Sequence, residues 1–155
     1  MTLILKRQGK LPEAEAAGHE AVAIQMKLTG LEHPDMANAF ANLARVLEDQ
    51  GQLAEAEAPQ LEALAIRQNA LGSDHSTLAL SLCHLGRLLK KRGDLPDAEA
   101  LLLEPLAITR NFPGTDYVDI ADVLGLLAEV LANQGKISEA KEFFDEAQPL
   151  RKDIK

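Results

Sequence analysis

The sequence predicts an all-α solenoid of antiparallel helix pairs, about seven helices in one array. Three observations predict it. A seven-residue block occurs four times at constant spacing, and glycine breaks occur twice in each period. Alanine and leucine dominate a chain that is 46% hydrophobic but only 3% aromatic, a composition that favours closely packed helix.

The block is Gly9-Lys10-Leu11-Pro12-Glu13-Ala14-Glu15. It returns as Gly51-Gln52-Leu53-Ala54-Glu55-Ala56-Glu57, as Gly93-Asp94-Leu95-Pro96-Asp97-Ala98-Glu99, and as Gly135-Lys136-Ile137-Ser138-Glu139-Ala140-Lys141. Each copy follows the last by 42 residues, with no insertion. Glu20, Glu62, Glu104 and Glu146 keep the same beat, as do Leu43, Leu85 and Leu127, and Leu47, Leu89 and Leu131. Self-similarity at a fixed period is the signature of a repeat array. Gly30, Gly72 and Gly114 supply the second break. The chain therefore reads as a single array over residues 1–155: a partial repeat at 1–30, then full repeats at about 31–72, 73–114 and 115–155.

Each full repeat holds two helices, A and B. Met1–Gln8 aligns with Leu43–Gln50, the second half of an A helix, and a B helix over Leu11–Thr29 follows it. The A helices are expected near Asp35–Gln50, Thr77–Arg92 and Val118–Gln134. The B helices are expected near Leu53–Leu71, Leu95–Phe112 and Ile137–Lys152. Phe40, Leu43, Ala44 and Leu47 follow the i, i+3, i+4, i+7 spacing of an amphipathic helix. Leu53, Ala56, Ala63, Leu64 and Ile66 form the inward face of the matching B helix. Gly51 ends the A helix, because glycine takes the left-handed conformation without a Cβ penalty. Pro12 and Pro96 fall in first turns, where the missing N–H costs nothing. Small residues at Ala44, Gly86 and Ala128 on A, and at Ala14, Ala56, Ala98 and Ala140 on B, let the paired helices approach closely. Pro59 and Pro105 fall inside B helices, and Pro105 stands where other repeats carry Ala63 and Ala147. Interior proline removes a hydrogen bond, so a bend or an opened bond is expected at Pro105, with a lesser one at Pro59.

These residues resemble the tetratricopeptide repeat (TPR), with its large-x-x-Leu-Gly/Ala-x-x-large pattern on helix A and Gly-x-large-x-x-Ala on helix B. The 42-residue period is similar to the kinesin-light-chain type. So are Gly30-Leu31-Glu32-His33-Pro34-Asp35-Met36-Ala37, Ala70-Leu71-Gly72-Ser73-Asp74-His75, and Ala41-Asn42-Leu43-Ala44. The third loop, Gly114-Thr115-Asp116-Tyr117, lacks the histidine, and the subfamily's groove asparagine survives only at Asn42, with His84 and Leu126 at the matching positions. The resemblance implies a right-handed superhelix whose A helices line a concave peptide-binding groove. It places Asn38, Asn42, Arg45 and Asp49 there from the first full repeat. The second contributes Leu80, His84, Arg87, Lys90 and Lys91, and the third Asp122, Leu126, Glu129 and Asn133. Asn38, Asn42, Arg45, His84, Arg87, Lys90, Lys91, Leu126 and Glu129 form the candidate site. Its four cations either solvate the surface or receive an acidic peptide. Arg45 and Arg87, one repeat apart, would sit roughly 10 Å from each other, the spacing of packed helices.

Composition narrows the function further. A net charge of −8 disfavours nucleic acid and anionic membrane as general partners. The N-terminus is charged too soon for a signal peptide, and no apolar run reaches the ~18 residues of a membrane span. A soluble, cytoplasmic protein is expected. The single cysteine, Cys83, is expected to be a groove or core residue rather than a nucleophile, since no base accompanies it. His33 and His75 lie one repeat apart and read as loop structure rather than as metal ligands. No zinc, phosphate-loop or nucleophile-elbow motif is present. Most carboxylates fall on outward helix positions, as a solvated face does.

The reading is a non-catalytic scaffold without a cofactor that binds a protein or an acidic peptide. The alternatives are a structural self-assembly module and a regulatory fragment of a larger multidomain protein. Self-association through a terminal repeat is expected because the helix with Leu11, Ala14, Ala21, Val22 and Met26 has only half a partner.

Overall fold

The computed structural model describes residues 11–70, 75–111 and 119–152, and among them every regular element is an α-helix. The chain divides into two compact units, Met1–Ser73 and Asp74–Lys155. The first holds α1 (Leu11–Thr29), α2 (Pro34–Asp49) and α3 (Leu53–Ala70). The second holds α4 (His75–Arg92), α5 (Leu95–Asn111), α6 (Ile120–Asn133) and α7 (Ile137–Lys152). The expected bounds of α1 and α7 are those observed, and the other helices end within two residues of expectation. The half-helix at Met1–Gln8, the breaks at Gly9, Gly72 and Gly114, and the ends expected at Leu71, Phe112 and Val118 lie outside the described residues.

In the first unit α2 packs on both α1 and α3. Met36, Ala37 and Ala41 of α2 meet Ala63 and Ile66 of α3 in a buried cluster, with Val22 and Phe40 packed against it. Leu43, Ala44 and Leu47 are buried too, while Leu53 is half-buried. In the second unit α4 pairs with α5, α5 with α6, and α6 with α7. Leu85, Leu102, Leu124, Leu127 and Leu131 are buried there. The small positions are buried at Ala14, Ala44, Ala56, Ala98, Ala128 and Ala140, and Gly86 lies directly against Leu102.

Helix ends follow local chemistry. His33 caps α2: its backbone is extended, and its Nδ1 accepts from the Asp35 N–H at 3.2 Å. That gives His33 the structural loop role. Where the third repeat has Tyr117 in place of histidine, Asp119 takes over two positions later and accepts from the Ala121 N–H at 3.0 Å. Side-chain acceptors at this position satisfy a first-turn donor that the helix cannot. At the other ends, Gly51, Gly93 and Gly135 adopt φ of 79°, 92° and 82°. The following N–H of Gln52, Asp94 and Lys136 donates back to Leu47, Leu89 and Leu131 at 2.9, 3.0 and 2.9 Å. This is the six-to-one bond of a Schellman closure.

Three B helices run on through prolines: α3 through Pro59, α5 through Pro105 and α7 through Pro149. Helix α5 is thus not interrupted at the buried Pro105. The Thr109 hydroxyl, also buried, donates to the Pro105 carbonyl at 2.9 Å and lies 3.1 Å from the Leu106 carbonyl. On α1, Ala14 is buried and Val22 half-buried, but Ile24, Met26 and Leu28 are exposed.

Candidate functional site

The 3.6-residue period places Asn38, Asn42 and Arg45 on one face of α2. Asn38 is exposed, and its Oδ1 accepts from the Arg67 guanidinium of α3 at 3.0 Å. Burial lowers the pKa of Arg67 from its usual value. Asn42 and Arg45 are half-buried.

The other candidates lie in the second unit. Helix α4 carries His84 and Lys90, both half-buried, with Arg87 and Lys91 exposed. Helix α6 carries Leu126, which is buried, and Glu129, which is exposed. A pocket of about 230 Å³ opens between α4 and α6, lined by Arg87, Lys90, Asp122, Gly125, Leu126 and Glu129. Four candidates therefore meet around one opening, with Leu126 as the apolar member, and His84 and Lys91 are not among its lining residues. The Lys90 ammonium donates to the Glu129 carboxylate. This ion pair was not foreseen from the sequence, because it joins helices 39 residues apart. The pocket thus holds two cations and two carboxylates rather than a purely positive surface. Among the described residues Arg87 forms no ion pair.

Such a lining suits non-covalent recognition of polar groups. The nearby thiol, Cys83, is buried, and its pKa is pushed up to about 12, chiefly by desolvation, with Arg87 lowering it and Asp122 raising it. A thiol held protonated is a poor nucleophile. Among the described residues, no group of three potential metal ligands occurs, and no helix is long and apolar enough to cross a membrane.

Two further clefts were not anticipated. One of about 450 Å³ lies in the first unit, where Val22, Phe40, Leu43 and Pro59 meet Glu15, Glu55 and Glu62. The other, of about 440 Å³, lies between α6 and α7 and is lined mainly by small and apolar side chains. A signal for the second was present in the sequence: Phe144 falls in the column of Gly18, Gln60 and Leu102.

A family model described as the MalT-like TPR region matches residues 1–153. The chain belongs to this TPR family. No curated protein matches it significantly in sequence. Solved structures agree on the fold. BtubC (BKLC) from P. vanneervenii superposes with a TM-score of 0.89 at 22% identity, over 99% of this chain and 61% of that one. This TPR chain thus spans 61% of the length of BtubC. A Podosopora anserina kinesin-light-chain protein with nearly identical TPR-like repeats gives 0.82 at 25% identity, over 97% of this chain and 71% of its own. The TPR domain of Arabidopsis FLU gives 0.66 at 17% identity, over 75% of this chain and 94% of its own. The all-α TPR-like solenoid expected from the 42-residue period is therefore the fold, and the kinesin-light-chain resemblance holds at the level of structure.

Proposed function

We propose that this TPR chain is a non-catalytic scaffold that binds a protein segment on its A-helix face, anchored at the α4/α6 pocket. The observation that carries the reading is the exposed Arg87 guanidinium at that pocket, without an ion pair among the described residues and beside the Lys90–Glu129 pair. Guanidinium presents paired donors that match a carboxylate, so an acidic side chain of the ligand docks on Arg87. Asp122 and Glu129 reject acidic ligands whose carboxylates fall out of register. On the α2 face, Asn42 and Arg45 offer amide and guanidinium donors to the same class of ligand. Membership of a repeat family whose members generally bind proteins without catalysis supports the reading, as does the absence of a cofactor motif in the sequence.

Selection of a random peptide library on the purified chain tests this. Recovered peptides should be enriched in Asp and Glu, and their affinity should fall with salt as exposed charges are screened. Arg87→Glu should weaken them about tenfold, which corresponds to roughly 1.4 kcal/mol. Arg45→Glu tests the α2 face separately. Peptides without acidic enrichment, or unchanged affinity in a folded Arg87→Glu variant, would remove the acidic-ligand model. A second reading, self-assembly, is favoured by the exposed Ile24, Met26 and Leu28 on α1. Sedimentation showing a mass that rises with concentration, and that Leu28→Glu returns to a monomer, would make it the better account.

A further inference from the structure

The cleft of about 450 Å³ in the first unit lies between its two B helices, α1 and α3, with α2 as its floor. That floor is apolar: Val22 and Phe40 are half-buried, and Leu43, Leu47 and Pro59 are buried. The rim is acidic, with Glu15 on α1 and Glu55 and Glu62 on α3. Glu55 and Glu62 are exposed, and among the described residues neither forms an ion pair. Glu15 has His19 one turn along the same helix, at 4.0 Å. Three carboxylates around one apolar opening repel each other, and the low polarity beneath them strengthens their pull on a cation.

Two repeats on, the same columns are neutralised from within the chain. Glu99 is the counterpart of Glu15, and its Oε2 accepts from the Lys136 ammonium and from the Gln134 amide, each at 2.7 Å. Glu146 is the counterpart of Glu62, and both its oxygens accept from the Arg110 guanidinium, at 2.8 and 2.9 Å. In the first unit both carboxylates are kept and both cations are gone. The counterpart of Lys136 is Gln52, which lines the cleft, and the counterpart of Arg110 is Met26. The second unit therefore shows what these two carboxylates accept, and the first unit lacks it.

We propose that the α1/α3 cleft binds a basic segment of a partner protein, with two cationic side chains flanking an apolar one. The apolar side chain covers Val22 and Phe40. One cation pairs with Glu15, where Gln52 offers no charge, and the other with Glu62, where Met26 offers none. Lysine and arginine suit this shape, because their stems lie along apolar surface while the charge stays at the rim. A second copy of this chain, with a net charge of −8, is a poor source of such a segment. The cleft belongs to the other unit from the α4/α6 pocket and stands whether or not that pocket binds peptide.

The test selects, on the whole chain, a displayed library of short peptides built only from Lys, Arg, Leu, Phe, Ser and Gly. No such peptide has an acidic side chain for Arg87, so the result is separable from that of the acidic-ligand model. Recovered peptides should combine Lys or Arg with Leu or Phe, and are then titrated by fluorescence anisotropy. Glu62→Lys should weaken them about five- to tenfold, since it exchanges a pairing contact for a like-charge one, and Glu62→Gln should weaken them less. Met26→Arg combined with Gln52→Lys restores the two cations of the second unit and should weaken the peptides by a similar factor, because the carboxylates are then occupied. All these positions lie at the surface, and circular dichroism confirms that the variants fold. The proposal is overturned if no peptide is recovered, if recovered peptides lack cations, or if either the Glu62→Lys chain or the doubly restored chain binds them as the parent does. A dimer of the chain that Glu62→Lys dissolves would also overturn it, because a second copy would then occupy the cleft.

Discussion

Gly86 on α4 lies so close to Leu102 on α5 that a Cβ on the glycine would stand 2.6 Å from Leu102 Cδ2 and 2.7 Å from its Cγ. The contact is the close approach that small residues at this position of helix A are there to permit. Gly86→Ala gains about 1 kcal/mol of helix propensity but forces overpacking that costs about 1–3 kcal/mol. Leu102 is fully buried and cannot swing aside. The variant should therefore be less stable by about 1 kcal/mol, seen as a lower urea midpoint at unchanged slope, and Leu102→Val should restore part of the loss. A midpoint equal to or above that of the parent would show that Leu102 has room to move.

Pro105→Ala should stabilise the chain. Interior proline costs about 3 kcal/mol when nothing relieves it, and the same column carries Ala63 and Ala147, both buried, in other repeats. Loss of the buried ring offsets part of the gain, leaving about 1–2 kcal/mol. In a protein of this size each 1 kcal/mol raises Tm by roughly 2–4 °C. Calorimetry checks it. A lower Tm would mean that the ring packing of Pro105 outweighs the restored hydrogen bond.

The α5–α6 junction makes stability depend on pH. The Lys136 and Gln134 donors lower the pKa of Glu99 below its ordinary 4.5, and Glu99 in turn raises that of Lys136 above 10.5. A lowered carboxylate stabilises the fold above its unfolded pKa, and that contribution disappears as pH falls through the folded value. A raised ammonium stabilises below its unfolded pKa and is lost as pH rises through the folded value. Both contributions are whole between about 4.5 and 10.5. Glu99→Gln should lower stability at pH 7 and flatten the acid limb of the stability curve. Denaturant titrations at pH 3, 5 and 7 report both effects, and parallel curves for the two proteins would refute this role for Glu99.

Cys83 should resist thiol reagents in the folded chain and react fully once urea unfolds it. Its thiol is buried and raised to about 12, so almost no thiolate exists at neutral pH. Ellman's reagent at pH 8 measures this directly. Prompt stoichiometric reaction without denaturant would place Cys83 at an open surface.

Much of this fold was legible in the period. The glycines at 51, 93 and 135 end A helices through their own backbone, so one column in the sequence locates three closures. The shift of the third cap from histidine to Asp119 was harder to see, since several residue types can cap and only geometry shows which one does. Pro149 passes unnoticed because nothing in sequence separates a tolerated interior proline from a terminating one. The candidate site was legible only by residue type. Arg87, Lys90, Leu126 and Glu129 do share a pocket, but a charge column says nothing about pairing across helices, and Lys90 is partnered by Glu129. The α6/α7 cleft left a trace in the period, since Phe144 stands in the column of Gly18, Gln60 and Leu102, but the period alone does not give its shape or its lining.

The Schellman closures have a consequence for how such a chain can change over generations. Each A-helix end is sealed by backbone atoms within six residues: Leu47 to Gln52, Leu89 to Asp94 and Leu131 to Lys136. No neighbouring repeat supplies an atom to those seals. A gain or loss of one whole 42-residue segment, cut at equivalent points, would leave every remaining seal intact, whereas an indel inside one of the six-residue spans would break that seal. Array length can therefore change by whole segments while every hairpin joint stays constant.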